Sequence, residues 1–178
     1  MEQPKQKNNQ SVIVPVAHFG SVRKHGILCL DIGTKTGWAL QSSSGVVTSG
    51  TAEFKNDRWQ GGGMRYLKFV RFLNSLIDDE KITVVFFEEV RRHLGVDAAH
   101  AYGGFLAHLT AWCESHNMAY EGVPVGTIKK HITGKGNASK AMVIDAVKQL
   151  GYSPCDDNEA DALALYHCVL GNGMAGNE

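Results

Sequence analysis

Asp31, Glu88 and Asp161 stand where carboxylates are costly to place. Asp31 follows the apolar run Ile27-Leu28-Cys29-Leu30, Glu88 follows Val84-Val85-Phe86-Phe87, and Asp161 lies inside Glu159-Ala160-Asp161-Ala162-Leu163-Ala164-Leu165. A buried carboxylate without a cation, a proton or donors is strongly unfavourable. Three such acids on three buried elements are placed to share one cation site, and hard oxygen ligands suit Mg²⁺ or Mn²⁺ rather than zinc. Two such ions clamped by shared carboxylates activate a water and stabilise the leaving oxygen in phosphodiester cleavage. Each acid alone has an ordinary reading: Asp31 near a turn glycine, Glu88 with Glu89 where a strand meets water, Asp161 paired with a lysine. The same layout three times over favours the shared site. Asp157 and Asn158 precede Asp161 by four and three residues, on its helical face, so either can complete the metal shell. Capping of the helix by Asp156 or Asp157 is the simpler role for at least one of them.

Positive charge is concentrated in two places. Lys129-Lys130-His131 and Thr133-Gly134-Lys135-Gly136-Asn137-Ala138-Ser139-Lys140 form a basic, glycine-rich stretch leading into a helix. The first amides of such a helix, beside flexible glycines, suit a phosphate; the alternative is a solvated loop capped by Asn137 or Ser139. The stretch lacks the GxxxxGK[ST] spacing of a nucleotide-binding loop. Arg91-Arg92-His93 follows the Glu88-Glu89 strand end and brings cations beside the acids, as binding of a nucleic-acid backbone requires. His93, His100, His108 and His116 recur about two helical turns apart, too far for one ion to reach them all. They are read as surface, stacking or DNA-contact residues, and no zinc site is expected.

The elements that must position these groups follow from hydrophobic periodicity. Ile27 to Ile32 and Ile82 to Phe87 read as buried strands, and Trp38–Gln41 with Val46–Phe54 as two further strands of a meander. Met64, Leu67, Phe69, Val70, Leu73, Leu76 and Ile77 recur at helical spacing. Asp97 to about His116 is a second helix, with Ala101, Phe105, Leu109, Trp112 and Cys113 on one face. Ala119 to Val125 is a strand closed by Pro124, and helices over Lys140–Leu150 and about Asp157–Leu170 finish the domain. Three strands, helix, strand, helix, strand and two helices fit an α/β, ribonuclease-H-like five-stranded mixed sheet with helices on both faces. The expected organisation is a mobile, mildly basic arm over residues 1–25, a nuclease-sized domain over 26–171, and a frayed tail over 172–178. Val12 to Val16 is a candidate edge strand, limited to an edge by Pro15.

Composition narrows the class. The chain has 178 residues, 43% hydrophobic and 20% charged, which fits one globular domain and excludes a disordered or fibrous chain. No apolar run approaches the ~20 residues of a membrane span, and no secretory signal is legible. Lys plus Arg is 18 and Asp plus Glu is 18, so any nucleic-acid surface must be local. Cys29, Cys113, Cys155 and Cys168 are dispersed, without a CxxC pair, and read as buried reduced thiols of a cytoplasmic protein.

On these residues the sequence resembles the RuvC-type Holliday junction resolvases in their phage and prophage form, from about Ile27 to Leu170. The matching pieces are Leu30-Asp31-Ile32-Gly33 with Lys35, Gly37 and Ala39; Phe87-Glu88-Glu89-Val90; Thr127-Ile128-Lys129 through Gly134-Lys135-Gly136 to Lys140; and Asp157 through Leu165. The resemblance implies a homodimer that nicks opposed strands of a four-way junction with two Mg²⁺ or Mn²⁺ ions per site and no nucleotide cofactor. It implies metal binding by Asp31, Glu88 and Asp161, with Lys129 and Lys140 facing the scissile phosphate. The local positive charge itself makes Arg91, Arg92, His93, Lys130, Lys135 and Lys140 the candidate DNA contacts. Two departures stand out. Asn158 occupies a place where the family usually carries Asp or His, and Arg91-Arg92 stands where a wedge aromatic would follow the Glu88 motif.

Three rivals are weaker. Asp31-Ile32-Gly33-Thr34-Lys35-Thr36-Gly37 also resembles the first phosphate loop of actin-like ATPases, but those need two domains. A YqgF-type nuclease shares the fold and a similar opening motif, whereas the Glu-Glu-Val and Glu-Ala-Asp-Ala-Leu-Ala-Leu segments suit the resolvase better. A non-catalytic junction-binding module would follow if Asn158 had cost the chain its metal chemistry.

Overall fold

The structure is a computed structural model that describes residues 26–77, 82–91 and 95–172. β1 (Gly26–Asp31), β2 (Lys35–Gln41), β3 (Val47–Glu53), β4 (Ile82–Glu89) and β5 (Ala119–Pro124) form one sheet in the order β3-β2-β1-β4-β5. β1 and β2 are antiparallel, as are β2 and β3, while β1 with β4 and β4 with β5 are parallel. The carboxyl ends of β1, β3, β4 and β5 therefore share one edge. Helices α1 (Met64–Ile77) and α2 (Val96–Ser115) cover one face, and α3 (Val125–Thr133), α4 (Lys140–Gln149) and α5 (Asp157–Gly171) the other. This is the expected mixed sheet between helical layers. No helix among the described residues is long and apolar enough to cross a membrane.

The alternation of β1 decides which layer meets which residue. Leu28 and Leu30 join Phe54, Phe69, Phe72 and Phe105 under α1 and α2, whereas Ile27 and Cys29 pack with Ala162, Leu163 and Tyr166 of α5. By the same period of two, Asp31 faces α5. In β4, Phe86 belongs to the α5 layer and Phe87 to the opposite one, so Glu88 also faces α5.

Helix α5 lies unusually near the sheet because nothing stands between its first turn and β2. A Cβ on Gly37 would overlap the backbone carbonyl of Asn158. Hydroxyls of β3 then fix the helix start: Thr51 Oγ1 donates to Asp156 Oδ1 at 2.8 Å, and Ser49 Oγ to Glu159 Oε1 at 2.7 Å. Two turns further on, Tyr166 Oη donates to Gln41 Oε1 at 2.7 Å, which fixes the helix over the far end of β2.

Four expectations need correction or qualification. The basic stretch from Lys129 to Thr133 is helical, within α3, and Gly134 at φ 77° ends that helix. Leu67 is 51% exposed; the buried stripe of α1 is Phe69, Phe72, Leu73 and Leu76, and Leu67 lies about 200° round the helix from Phe69. Cys29, Cys113 and Cys168 are buried free thiols, but Cys155 is exposed, because it lies in the turn before α5 rather than in an apolar element. The arm of residues 1–25, including Val12 to Val16, and tail residues 173–178 lie outside the described residues.

Replacing Gly37 by Ala should destabilise the protein by about 1–3 kcal/mol, since backbone opposes the new methyl group and cannot step aside as a side chain would. Gly62, which has open space around it, is the control: Gly62→Ala should stay within about 0.5 kcal/mol. Denaturant unfolding of both variants measures the difference.

Candidate active site at the carboxyl edge of the sheet

Parallel pairing of Leu30 with Phe87 puts Asp31 and Glu88 one step further along adjacent strands, at the carboxyl edge. Strands in a sheet lie about 4.8 Å apart, so the two carboxylates are neighbours over the same face. Asp161, one turn into α5, comes down on them from the helical layer. Burial is the first cause that raises the pKa of Asp31, and repulsion from Glu88 and Asp161 adds to it. Burial also pushes Glu88 up to about 7, with Asp161 raising it further and Lys129 and Lys140 opposing. Asp161 is raised by burial against the same two lysines. The three acids singled out in the sequence thus share one electrostatic site with Lys129 and Lys140.

Among the described residues, no hydrogen bond or ion pair reaches the carboxylates of Asp31, Glu88 or Asp161. Nor are any three His, Cys, Asp or Glu side chains there drawn into a group close enough to hold one ion. The donor set itself fits a hard divalent cation: three partly buried carboxylates that repel one another and have no cation of their own in contact.

The turn around this site is well fastened. Gly33 N donates to Thr36 Oγ1 at 3.2 Å, and that hydroxyl returns a bond to Gly33 O at 2.8 Å, closing the β1–β2 turn just after Asp31. Tyr102 Oη of α2 donates to Glu88 O at 2.9 Å and accepts from Val90 N at 3.2 Å, holding the end of β4. Asp156 caps α5 by accepting from Glu159 N at 2.9 Å and also pairs with Lys35 at 3.0 Å. Of the two candidate caps, Asp156 is therefore the one used. Ser139, not Asn137, accepts the capping bond at α4.

The remaining candidates separate clearly. Asp157 forms an ion pair with Lys140, and Asn158 Nδ2 donates to Asp157 Oδ1 at 3.4 Å. Asp157 also contributes to the field at Asp31 and Asp161, which places it beside the acids. Lys130 and Lys135 are exposed, on α3 and in the loop after it. Arg91 is exposed and paired with Glu89 at 3.0 Å, so its charge is already shared. Arg92 and His93 lie outside the described residues. His108 stacks on Tyr66 at 4.7 Å and His116 packs against Trp112 at 4.6 Å, which gives both a structural role. Tyr102 is absent from the sequence motifs, and Lys35 enters only as part of the Asp31 motif, with no hint of its pairing with Asp156. Neither carries a local signal, because the groups they hold are a strand-end backbone and an aspartate on a distant helix.

Solved structures share this architecture. The Thermus thermophilus RuvC structure aligns with a TM-score of 0.68 at 19% identity, over 85% of this chain and 96% of that one. T. thermophilus RuvC in complex with Holliday junction substrate aligns at 0.70 and 18% identity with the same coverage. The yeast mitochondrial Holliday junction resolvase Ydc2 aligns at 0.60 and 10% identity, over 88% of this chain and 84% of that one. No family model and no curated protein matches the sequence. The chain has the ribonuclease-H-like fold of these resolvases.

Because Glu88 binds a proton more tightly folded than unfolded, stability in EDTA should fall as pH rises from about 4.5, its ordinary value, through about 7. Asp31 and Asp161 act with the same sign. The slope should reach up to about 1.4 kcal/mol per pH unit for each proton concerned, and Glu88→Gln should flatten it. Added Mg²⁺ or Mn²⁺ should restore stability most at pH 8. Denaturant midpoints across pH, with and without cation, give the test.

Proposed function

We propose that this chain is a divalent-metal-dependent endonuclease that nicks four-way and other branched DNA. The observation that carries the reading is that Asp31, Glu88 and Asp161, without protein partners of their own, repel one another at one edge of the sheet beside Lys129 and Lys140, in a fold shared with Holliday junction resolvases.

Asp31, Glu88 and Asp161 are the residues that would hold two Mg²⁺ or Mn²⁺ ions, with Asp157 or Asn158 as a further ligand. Ions bound there supply an activated water and charge stabilisation at the leaving oxygen. Lys129 is half-buried on α3 and faces the acids, so it offsets charge that builds on the phosphoryl group. Lys140 is shared between Asp157 and the cluster and acts in the same direction. Lys130 and Lys135 extend the positive surface along the backbone. The products are a 5′-phosphate and a 3′-hydroxyl. A homodimer brings one site to each of two opposed strands, which accounts for paired nicks.

A labelled four-way junction and a linear duplex of matched sequence should be incubated with Mg²⁺, Mn²⁺ or EDTA. Paired, cation-dependent nicks are expected in the junction alone. Glu88→Gln should slow them by at least about 10²-fold, the scale of losing one electrostatic stabiliser, while junction affinity is kept. Tight binding without cutting in either metal would instead identify a junction-binding module and implicate Asn158.

A further inference from the structure

The edge that carries the acids also carries an aromatic side chain that the core does not use. Beyond β3, Phe54 N donates to Thr34 O at 2.7 Å, beside the turn that follows Asp31, and the chain then loops to α1. Trp59 in this loop is 88% exposed, whereas Trp112 is buried. The loop is tied by its own bonds: Asn56 Nδ2 to Gly61 O at 3.1 Å, Gln60 N to Asp57 O at 3.0 Å, and Lys68 Nζ to Lys55 O at 2.7 Å. The indole is thus presented on a fastened turn. The Arg58 guanidinium lies 5.0 Å from the indole centroid and covers one face, leaving the other to solvent. Around the loop Lys55 pairs with Glu53 at 2.6 Å and Lys68 with Asp57 at 3.6 Å, whereas Arg58, Arg65 and Arg71 form no ion pair among the described residues.

An uncovered aromatic face in a cationic setting matches a flat apolar ring joined to phosphate. We propose that Trp59 is a stacking platform for an unpaired base of branched DNA, with Arg58 directed to the adjoining phosphate; this rests on the nuclease reading and adds a substrate contact to it. Every base has a π-face, so such a contact is tolerant of sequence, and it is available only where the duplex is interrupted. An Arg held over an aromatic ring keeps its outer N–H groups free for phosphate oxygens. The platform therefore distinguishes branched from continuous DNA without reading bases.

Binding is best followed on the Glu88→Gln background, where the DNA stays uncut. Indole emission should be quenched by a four-way junction and not by linear duplex. Trp59→Ala should weaken junction affinity on the order of tenfold, the worth of stacking one base, leave duplex affinity unchanged, and keep the melting temperature. Trp59→Phe should recover most of the loss. Unchanged junction affinity in Trp59→Ala overturns the proposal, as does an equal loss on duplex. A fall in oligomeric mass with unaltered affinity also overturns it, by assigning the ring to a second copy of the chain. Should the protein with Trp59 intact bind neither DNA, the nuclease reading fails with it.

Discussion

Asp161 reaches the strand acids because the first turn of α5 rests directly on β2 at Gly37. This contact is backbone against backbone, and no side-chain adjustment can substitute for it. Around it, Asp156 binds Thr51 and Lys35, and Glu159 binds Ser49 and Cys155 N, so the helix start is fixed in register as well as in height. The charged groups of this seat are satisfied within the protein. The three acids it positions are not, and that division separates what holds the fold from what is offered to a ligand.

The two layers over the sheet are built for different purposes. Under α1 and α2 the core is aromatic, with Phe54 in tilted or edge contact with Phe69, Phe72 and Phe105. Large rings give that layer bulk and bury much apolar area. Under α5 the residues include Ala162 and Ala164, fully buried, with Ala160 beside them. Small side chains allow the close approach that a carboxylate on the helix needs if it is to share a site with carboxylates on strands.

Much of this was legible in the sequence, for physical reasons that also explain the omissions. Buried strands announce themselves by apolar runs, and an acid interrupting such a run is conspicuous, so Asp31, Glu88 and Asp161 stood out. The nine residues of α3 did not, because Val125-Gly126-Thr127-Ile128 is poor in helix formers and the helix is too short to show a period. The bonds from β3 to α5 link residues 105 and 110 positions apart, and nothing local marks them. Trp59 is silent in the sequence for the opposite reason: a tryptophan usually belongs to a core, and only the structure shows that this one does not.

The direction of the strands divides the molecule into two ends. The three acids lie at the carboxyl edge, while the opposite end holds the start of β1 and the hairpin turn between β2 and β3, where Ser42 N donates to Val46 O and Gly45 takes φ 86°. Residues 43–46 of that turn are exposed and no link to the acids passes through them. Evolutionary change therefore has unequal access to the two ends. Insertions, fused domains or new partners can accumulate at the hairpin without disturbing the acids, so descendants of this chain can diverge in what they are attached to while keeping the same acidic edge.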